Sequence, residues 1–272
     1  MADELTVDTV IEVLTSGTVE LSGRLVQASN ATFFGHVRLE GTAVDCVYKP
    51  VRGERPLWDF PTGTLAGREV AAYLVSELAG WHVVPPTVLA DGPFGPGMLQ
   101  RWIDATDDDM VEIVPDGDIP AGWLHVLDAF DQDENAVSLV HVDQPALCRL
   151  ALFDIVVNNA DRKGGHVLPD GQDVPGPDQR VYGCDHGISF HVENKLRTVL
   201  WGWAGQPLDP DQLATLGALR VSLEAGEARE ALLECISMVE YLALVRRVDD
   251  LIRTPTWPRP DEHWPSIPWP AF

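Results

Sequence analysis

Lysine is nearly missing from this chain: of 19 basic residues, only Lys49, Lys163 and Lys195 are lysines. Set against 42 acidic residues and a formal net charge of -23, this leaves no lysine-rich patch, and the field repels phosphodiester backbones and anionic bilayers. Nucleic acid is excluded as an expected partner, and docking on a membrane surface is disfavoured. Cysteine is scarce as well. Cys46, Cys148, Cys184 and Cys235 stand far apart with no C-x-x-C pair, and no secretory signal opens the sequence, so free thiols and a cytoplasmic, reducing location are expected. No apolar run approaches the roughly 20 residues that span a bilayer, so the expectation is a soluble protein without a transmembrane segment. A G-x-G-x-x-G phosphate loop is also missing.

What is present suffices for a fold. At 272 residues and 45% hydrophobic, the chain can bury a substantial core in one large domain or two modest lobes. Residues 5–15 carry helical apolar spacing that Gly17 can stop, predicting a short accessory helix within residues 1–18. From Val19 the pattern turns to short β-type runs, VELSGRLV, ATFFGHVRLE and AVDCVYKP, which read as an antiparallel meander. LAGREVAAYLVSELAG follows with a helical stripe closed by Gly80. WHVVPPTVLADGPFGPGMLQRWI then reads as two more strands, completing a five-stranded sheet with one helix over 19–102.

The acidic stretch DATDDDMVEIVPDGD after Ile103 reads as a solvated connection. Residues 121–135 and 144–158 have helical character, a β-hairpin is expected around the turn-rich excursion between His166 and Val181, and helices return at 209–217 and 224–253. The second part, 103–253, is therefore expected to be mostly helical. The last 19 residues hold six prolines and three tryptophans, which excludes a helix or a central strand. An extended strap over 254–272 that docks its tryptophans on the body is expected, with a partner-binding tail as the alternative.

The chemistry sits in short polar runs. Alone, Asn158, Asn159, Asp161 and Lys163 could cap a helix and turn the chain. They are joined by an Asp-His-Gly at Asp185–Gly187, and by Lys49 at a strand end 20 residues before the helical Glu69. A lysine to grip phosphates, a glutamate to orient it, an aspartate to position a hydroxyl and an aspartate to hold Mg²⁺ are the parts of phosphoryl transfer. Each keeps an ordinary reading: Lys49 as a solvated strand end, and Glu69 as an exposed helix-face carboxylate.

The order of strand, loop, strand, YKP lysine, helical glutamate, N-x-x-D-R loop and D-x-G resembles the atypical kinases related to phosphatidylinositol 3- and 4-kinases. That group includes the HipA-type bacterial kinases and the secretory-pathway casein kinases. The resemblance covers roughly residues 20–250 and is strongest to a small actinobacterial set of phosphatidylinositol 3-/4-kinase-like proteins, through SNATF, VYKP and NNADRK. It implies an α+β, two-lobed, protein-kinase-like fold that binds ATP with Mg²⁺ or Mn²⁺ between the lobes.

By that resemblance Lys49 binds phosphate and Glu69 pairs with it. Ser29, Asn30, Ala31 and Thr32 form the phosphate-facing turn, although an ordinary hairpin turn fits them as well. Gln100, Arg101 and Trp102 link the lobes beside the adenine edge. Asp161 positions or deprotonates the acceptor hydroxyl, Lys163 reaches the γ phosphate, and Asp185 holds the metal. Where many kinases carry a metal-binding asparagine this chain has His166, whose imidazole suits Mn²⁺ or Zn²⁺ better than Mg²⁺. Either His166 is a ligand with altered metal preference or it is not one, and Asn158 or Asn159 substitutes only if the loop returns one to the metal.

The implied activity is transfer of the γ phosphate to a protein hydroxyl, that of the chain itself included, or to a small molecule. Lipid phosphorylation is disfavoured by the charge, because membrane docking recruits basic residues. Three rivals stay open: a nucleotide-binding pseudokinase module, an AMP-transferring enzyme, and a metal-dependent hydrolase using His166, Asp185, His186 and His191.

Overall fold

The computed structural model describes residues 5–25, 30–55, 57–60, 64–171, 179–261 and 265–272. The expected meander forms: β1 (Thr18–Arg24), β2 (Phe33–Leu39) and β3 (Thr42–Pro50) pair antiparallel in succession. β4 (Thr87–Gly92) and β5 (Gly95–Arg101) form a hairpin, with β5 beside β3, so the sheet order is β1-β2-β3-β5-β4. Along β3 the even-numbered Val44, Cys46 and Tyr48 are buried while Ala43 and Asp45 are exposed. α1 (Val7–Ser16) covers that buried face, setting Val10, Val13 and Leu14 against Val37, Val44, Cys46, Tyr48 and Leu99. Because strand side chains alternate, Lys49 leaves from the opposite face, level with its cross-strand partner Met98.

α2 (Leu65–Leu78) begins where Thr64 accepts the Gly67 amide and the Glu54 carboxylate accepts the amides of Leu65 and Ala66 at 3.0 and 2.8 Å. These bonds satisfy donors a helix start leaves open and put negative charge at its positive end. The helix ends at Leu78, and the chain turns away at Gly80 with φ +66°. Ten of its 14 residues are buried, Arg68 and Glu69 among them. The main apolar core joins α2 to α3 (Pro145–Val157), α4 (Pro210–Glu224), α5 (Gly226–Cys235) and α6 (Met238–Arg253). The stretch expected as one helix over 224–253 breaks at Ile236, because Ser237 and Glu240 form a capping box that starts α6 anew.

Two expectations are overturned between Ile103 and Pro145. The acidic stretch contains a strand, β6 (Val111–Pro115), and residues 121–135 are not helical: β7 (Trp123–Phe130) pairs with β8 (Ala136–Val142) in a three-stranded sheet ordered β6-β8-β7. The false helical signal has a physical origin. A bulge between His125 and Leu127 sets Leu124 opposite His141 and Leu127 opposite Leu139, so two leucines three residues apart share one face of a strand. The region after Ile103 is thus less helical than expected.

The expected hairpin is present as β9 (Val167–Pro169) paired with β10 (Val181–Gly183), and most of its excursion lies outside the described residues. Of the strap's tryptophans, Trp257 is buried against Trp203 with ring centroids 5.6 Å apart, Trp269 is 89% exposed, and Trp264 lies outside the described residues. The expectation that the tryptophans dock therefore holds for one and fails for another. Among the described residues, no helix is long and apolar enough to cross a membrane. All four cysteines are free.

Candidate functional site

Three segments distant in sequence meet at one charged triangle. The Lys49 ammonium donates to Glu69 Oε1 at 2.8 Å and to Asp185 Oδ1. Burial works against the Lys49 charge, but the Asp185 and Glu69 carboxylates outweigh it and hold the pKa above the ordinary lysine value. The same ammonium holds the Asp185 carboxyl well below the usual carboxylate range. Glu69 is 2% exposed, which removes the helix-face alternative, and its second oxygen accepts the His186 amide at 2.9 Å. Asp185 adopts φ +59°, in the left-handed region, and keeps 47% of its side chain exposed. A Cβ on Gly187 would lie 3.2 Å from Leu65, so the chain turns closely past the start of α2 here.

The loop after α3 is built on a buried ion pair. Arg162 donates to both oxygens of Asp154, at 2.8 and 2.9 Å, with neither side chain exposed. It also donates to the carbonyls of His166 and Cys184, at 3.0 and 2.9 Å, tying the loop to the D-x-G segment. Another Arg162 nitrogen lies 2.6 Å from His186 Nε2, so this nitrogen accepts and the ring proton sits on Nδ1, 3.8 Å from Glu69. Burial and the Arg162 charge push the His186 pKa well below its ordinary value. His186 is thus a neutral bridge between the loop's ion pair and the Lys49 triangle. Asp154, Arg162 and this role of His186 were missed by sequence reasoning. The only available signal was the D-R pair itself, because the partners are set by tertiary contact.

On this base stand Asp161 and Lys163, with Lys163 Nζ 3.8 Å from Asp161 Oδ2. Burial raises the Asp161 pKa against the opposing pull of Lys163 and Arg197. The Asp161 amide donates to Asn159 Oδ1 at 3.0 Å, and Asn159 Nδ2 donates to Asp154 at the same distance. Asn158 closes α3 with φ +56°, its amide nitrogen donating to the carbonyls of His191 and Glu193 and its oxygen accepting from the Lys195 amide. Both asparagines are therefore committed to scaffold bonds, and neither returns towards Asp185 as a substitute ligand.

His166 does face Asp185. Its Nδ1 lies 2.9 Å from the Asp161 carbonyl oxygen, so the proton sits on Nδ1 and donates there. Nε2 is left with its lone pair 3.3 Å from Asp185 Oδ2. Burial lowers the His166 pKa, favouring this neutral form. Two acceptor atoms in such proximity are a donor set that a cation relieves. A hard divalent ion bound mainly by substrate phosphates needs only one or two protein side chains, so Asp185 with His166 fits a divalent ion held in that way. The zinc-hydrolase set is not assembled: among the described residues no three His, Cys, Asp or Glu side chains are grouped to hold a metal. His186 is sealed against Arg162, and His191 packs its ring on Phe60 at 5.2 Å.

The other expected residues behave differently. Ser29 lies outside the described residues. Asn30 Oδ1 accepts the Arg55 amide at 3.1 Å, Ala31 lies against Gly53, and Thr32, 4% exposed, immediately precedes β2, whose first residue Phe33 pairs with Tyr48 next to Lys49. Gln100 and Arg101 belong to β5 itself. The Gln100 side chain is buried on Thr87 at 2.9 Å, the Arg101 amide donates to Pro86 and the Trp102 amide to Asp45. The amides of Arg101 and Trp102 are therefore engaged within the fold.

This arrangement is that of a mixed α/β, kinase-like fold. The structure superposes on the golgi casein kinase with a TM-score of 0.53 at 13% sequence identity, covering 96% of this chain and 80% of that one. A second solved structure, the Helicobacter pylori proinflammatory kinase CtkA, gives 0.47 at 11% identity over 89% and 94% of the two chains. No protein-family model matches. The chain belongs to the family of protein Rv2133c of Mycobacterium tuberculosis (strain ATCC 25618 / H37Rv), being 50% identical over 270 residues that cover 96% of this chain and 94% of that protein.

Proposed function

We propose that the chain is an ATP-dependent phosphotransferase that moves the γ phosphate to a hydroxyl acceptor. The observation that carries this reading is the Lys49 ammonium held by Glu69 and Asp185 together, a cation fixed by two segments far from it in sequence. A salt bridge of this kind, half open at Asp185, is costly to build unless the charge is used. Lys49 binds the α and β phosphates and Glu69 orients it. Asp185 and His166 hold a divalent ion, Mg²⁺ or Mn²⁺, which when bound neutralises phosphate charge. The turn at Asn30–Thr32 borders the phosphates.

Gln100, Arg101 and Trp102 lead into the adenine-facing segment through backbone groups other than the engaged Arg101 and Trp102 amides. Asp161 accepts the proton of the acceptor hydroxyl as its oxygen bonds to the γ phosphorus and the bond to the β–γ bridging oxygen breaks, releasing ADP. Lys163 offsets charge on the transferred group. Raised by burial, the Asp161 pKa makes it a better base than an ordinary exposed carboxylate.

The net charge of -23 favours a protein or small-molecule acceptor over phosphoinositide in an anionic membrane. AMP transfer uses the same residues with the nucleotide reversed. One incubation separates the readings: ATP labelled at either the α or the γ position, with Mg²⁺ or Mn²⁺, comparing wild type with Asp185→Ala. Gamma label on protein or small-molecule product, absent in the variant, is the expected result. Alpha label indicates AMP transfer, and absence of both label transfers leaves a nucleotide-binding module.

A further inference from the structure

The strap past α6 returns to the loop that bears Asp161 and Lys163. Within that loop the Arg162 amide donates to the Arg197 carbonyl at 3.0 Å, the Arg162 carbonyl accepts from Val199 at 3.1 Å, and the Arg197 amide donates to Asn159 at 3.0 Å. Segment 197–199 is braced from its far side: the Thr198 amide and the Trp201 indole N–H both donate to the Ser266 carbonyl, at 3.0 and 2.9 Å. The strap then bonds to the loop itself. The Gly164 amide donates to the Ala271 carbonyl at 2.8 Å, and the Phe272 ring lies so close to Gly164 that a Cβ there would sit 2.4 Å from it. Ile267 and Ala271 pack on the main core, which anchors the strap at both ends of this contact.

We infer that Ser266, Ala271 and Phe272 form a positioning element of the site, holding Lys163 and Asp161 in register through Gly164 and through segment 197–199. This rests on the reading of Asp161 and Lys163 given above. Gly164 directly follows Lys163 and opens a single 3-10 turn that ends at His166, so its amide fixes the direction in which the chain leaves the two catalytic candidates. A loop residue without the Ala271 carbonyl would have to find water for that amide and would sample more than one path. Phe272 also walls a cavity of about 420 Å³ together with Gly164, Gly165 and residues 106–111, so the strap shapes the space beside the loop as well as bracing it.

The test removes the brace without touching the machinery. Five altered chains are compared with wild type: one lacking Ala271 and Phe272, Phe272→Ala, Gly164→Ala, Gly164→Ala with Phe272→Ala, and Trp269→Ala as a control in the same strap whose side chain is 89% exposed. Amide hydrogen exchange is read at Arg162 and Gly164, with single-turnover γ-phosphate transfer and the KM for ATP measured alongside. The shortened chain is expected to exchange faster at both amides and to lose roughly tenfold to a hundredfold in transfer rate, the size of effect that misplacing reacting groups produces. The KM for ATP should stay unchanged, as should both readouts in Trp269→Ala. Gly164→Ala should slow transfer by displacing the ring, and Gly164→Ala with Phe272→Ala should be no slower than Gly164→Ala alone, a coupling that independent sites do not show.

Unchanged exchange at Gly164 in the shortened chain would overturn the inference, as would faster transfer, which would make the strap an obstruction. Should wild type transfer no phosphate, exchange alone still decides the brace, and the phosphotransferase reading is what fails.

Discussion

Asp154 and Asp185 are both carboxylates bound to a basic side chain, and their surroundings could hardly differ more. Asp154 is sealed, with both oxygens accepting from Arg162 and one also from Asn159. Asp185 stands on left-handed backbone with 47% of its side chain open, one oxygen on Lys49 and the other against an imidazole lone pair. A saturated, dry ion pair can only hold a shape. A carboxylate with a charged partner on one side and an open, electron-rich face on the other has capacity left for a ligand. His186 joins the two, so the scaffold pair sets the geometry in which the open one works.

The comparison breaks most visibly at the sealed member. Asp154→Ala leaves the Arg162 guanidinium buried without its counter-charge, and a loss of about 3–5 kcal/mol in unfolding free energy is expected, read by denaturant titration. The same change at Asp185 should cost clearly less stability than Asp154→Ala, because Lys49 keeps Glu69 as a counter-charge and Asp185 is half open, while transfer falls. Lys49→Met is expected to lower the transfer rate by about 10²–10³-fold, in the range that removing one electrostatic contact costs an active site, with circular dichroism unaltered.

Acid sharpens the contrast further. The folded pKa of Asp185 lies well below its unfolded value of about 3.9, so its pairing with Lys49 contributes in full above that value. The contribution is lost as pH falls from about 4 towards the folded pKa. Without nucleotide or divalent metal, Asp185→Asn should therefore show a shallower loss of stability below pH ~4 than wild type. Asn30→Ala, which removes one exposed contact to the Arg55 amide, is expected to cost no more than about 1 kcal/mol in a thermal melt.

The closeness of Lys49, Glu69 and Asp185 was legible because each residue sits in a short run whose order along the chain is itself a pattern. The five-stranded sheet was legible too, since alternation at Val44, Cys46 and Tyr48 is a local signal. The sheet of β6, β7 and β8 was not. A bulge at His125–Leu127 disguised a strand as a helix face, and acidic residues masked the apolar Met110, Val111 and Val114. Asn158 and Asn159 stood out as polar, yet their partners at His191, Lys195 and Asp154 are chosen by tertiary contacts that leave no trace in spacing.

The central claim is that the Lys49–Glu69–Asp185 triangle is where a metal-bound nucleotide sits. Equilibrium dialysis of ATP against wild type, Lys49→Met and Asp185→Ala, each with and without Mn²⁺, tests it directly. The account predicts one ATP per wild-type chain, tighter with Mn²⁺, with binding weakened at least about tenfold in Lys49→Met and the Mn²⁺ effect abolished in Asp185→Ala. Equal, metal-independent binding by all three proteins, or no binding by wild type, would contradict it.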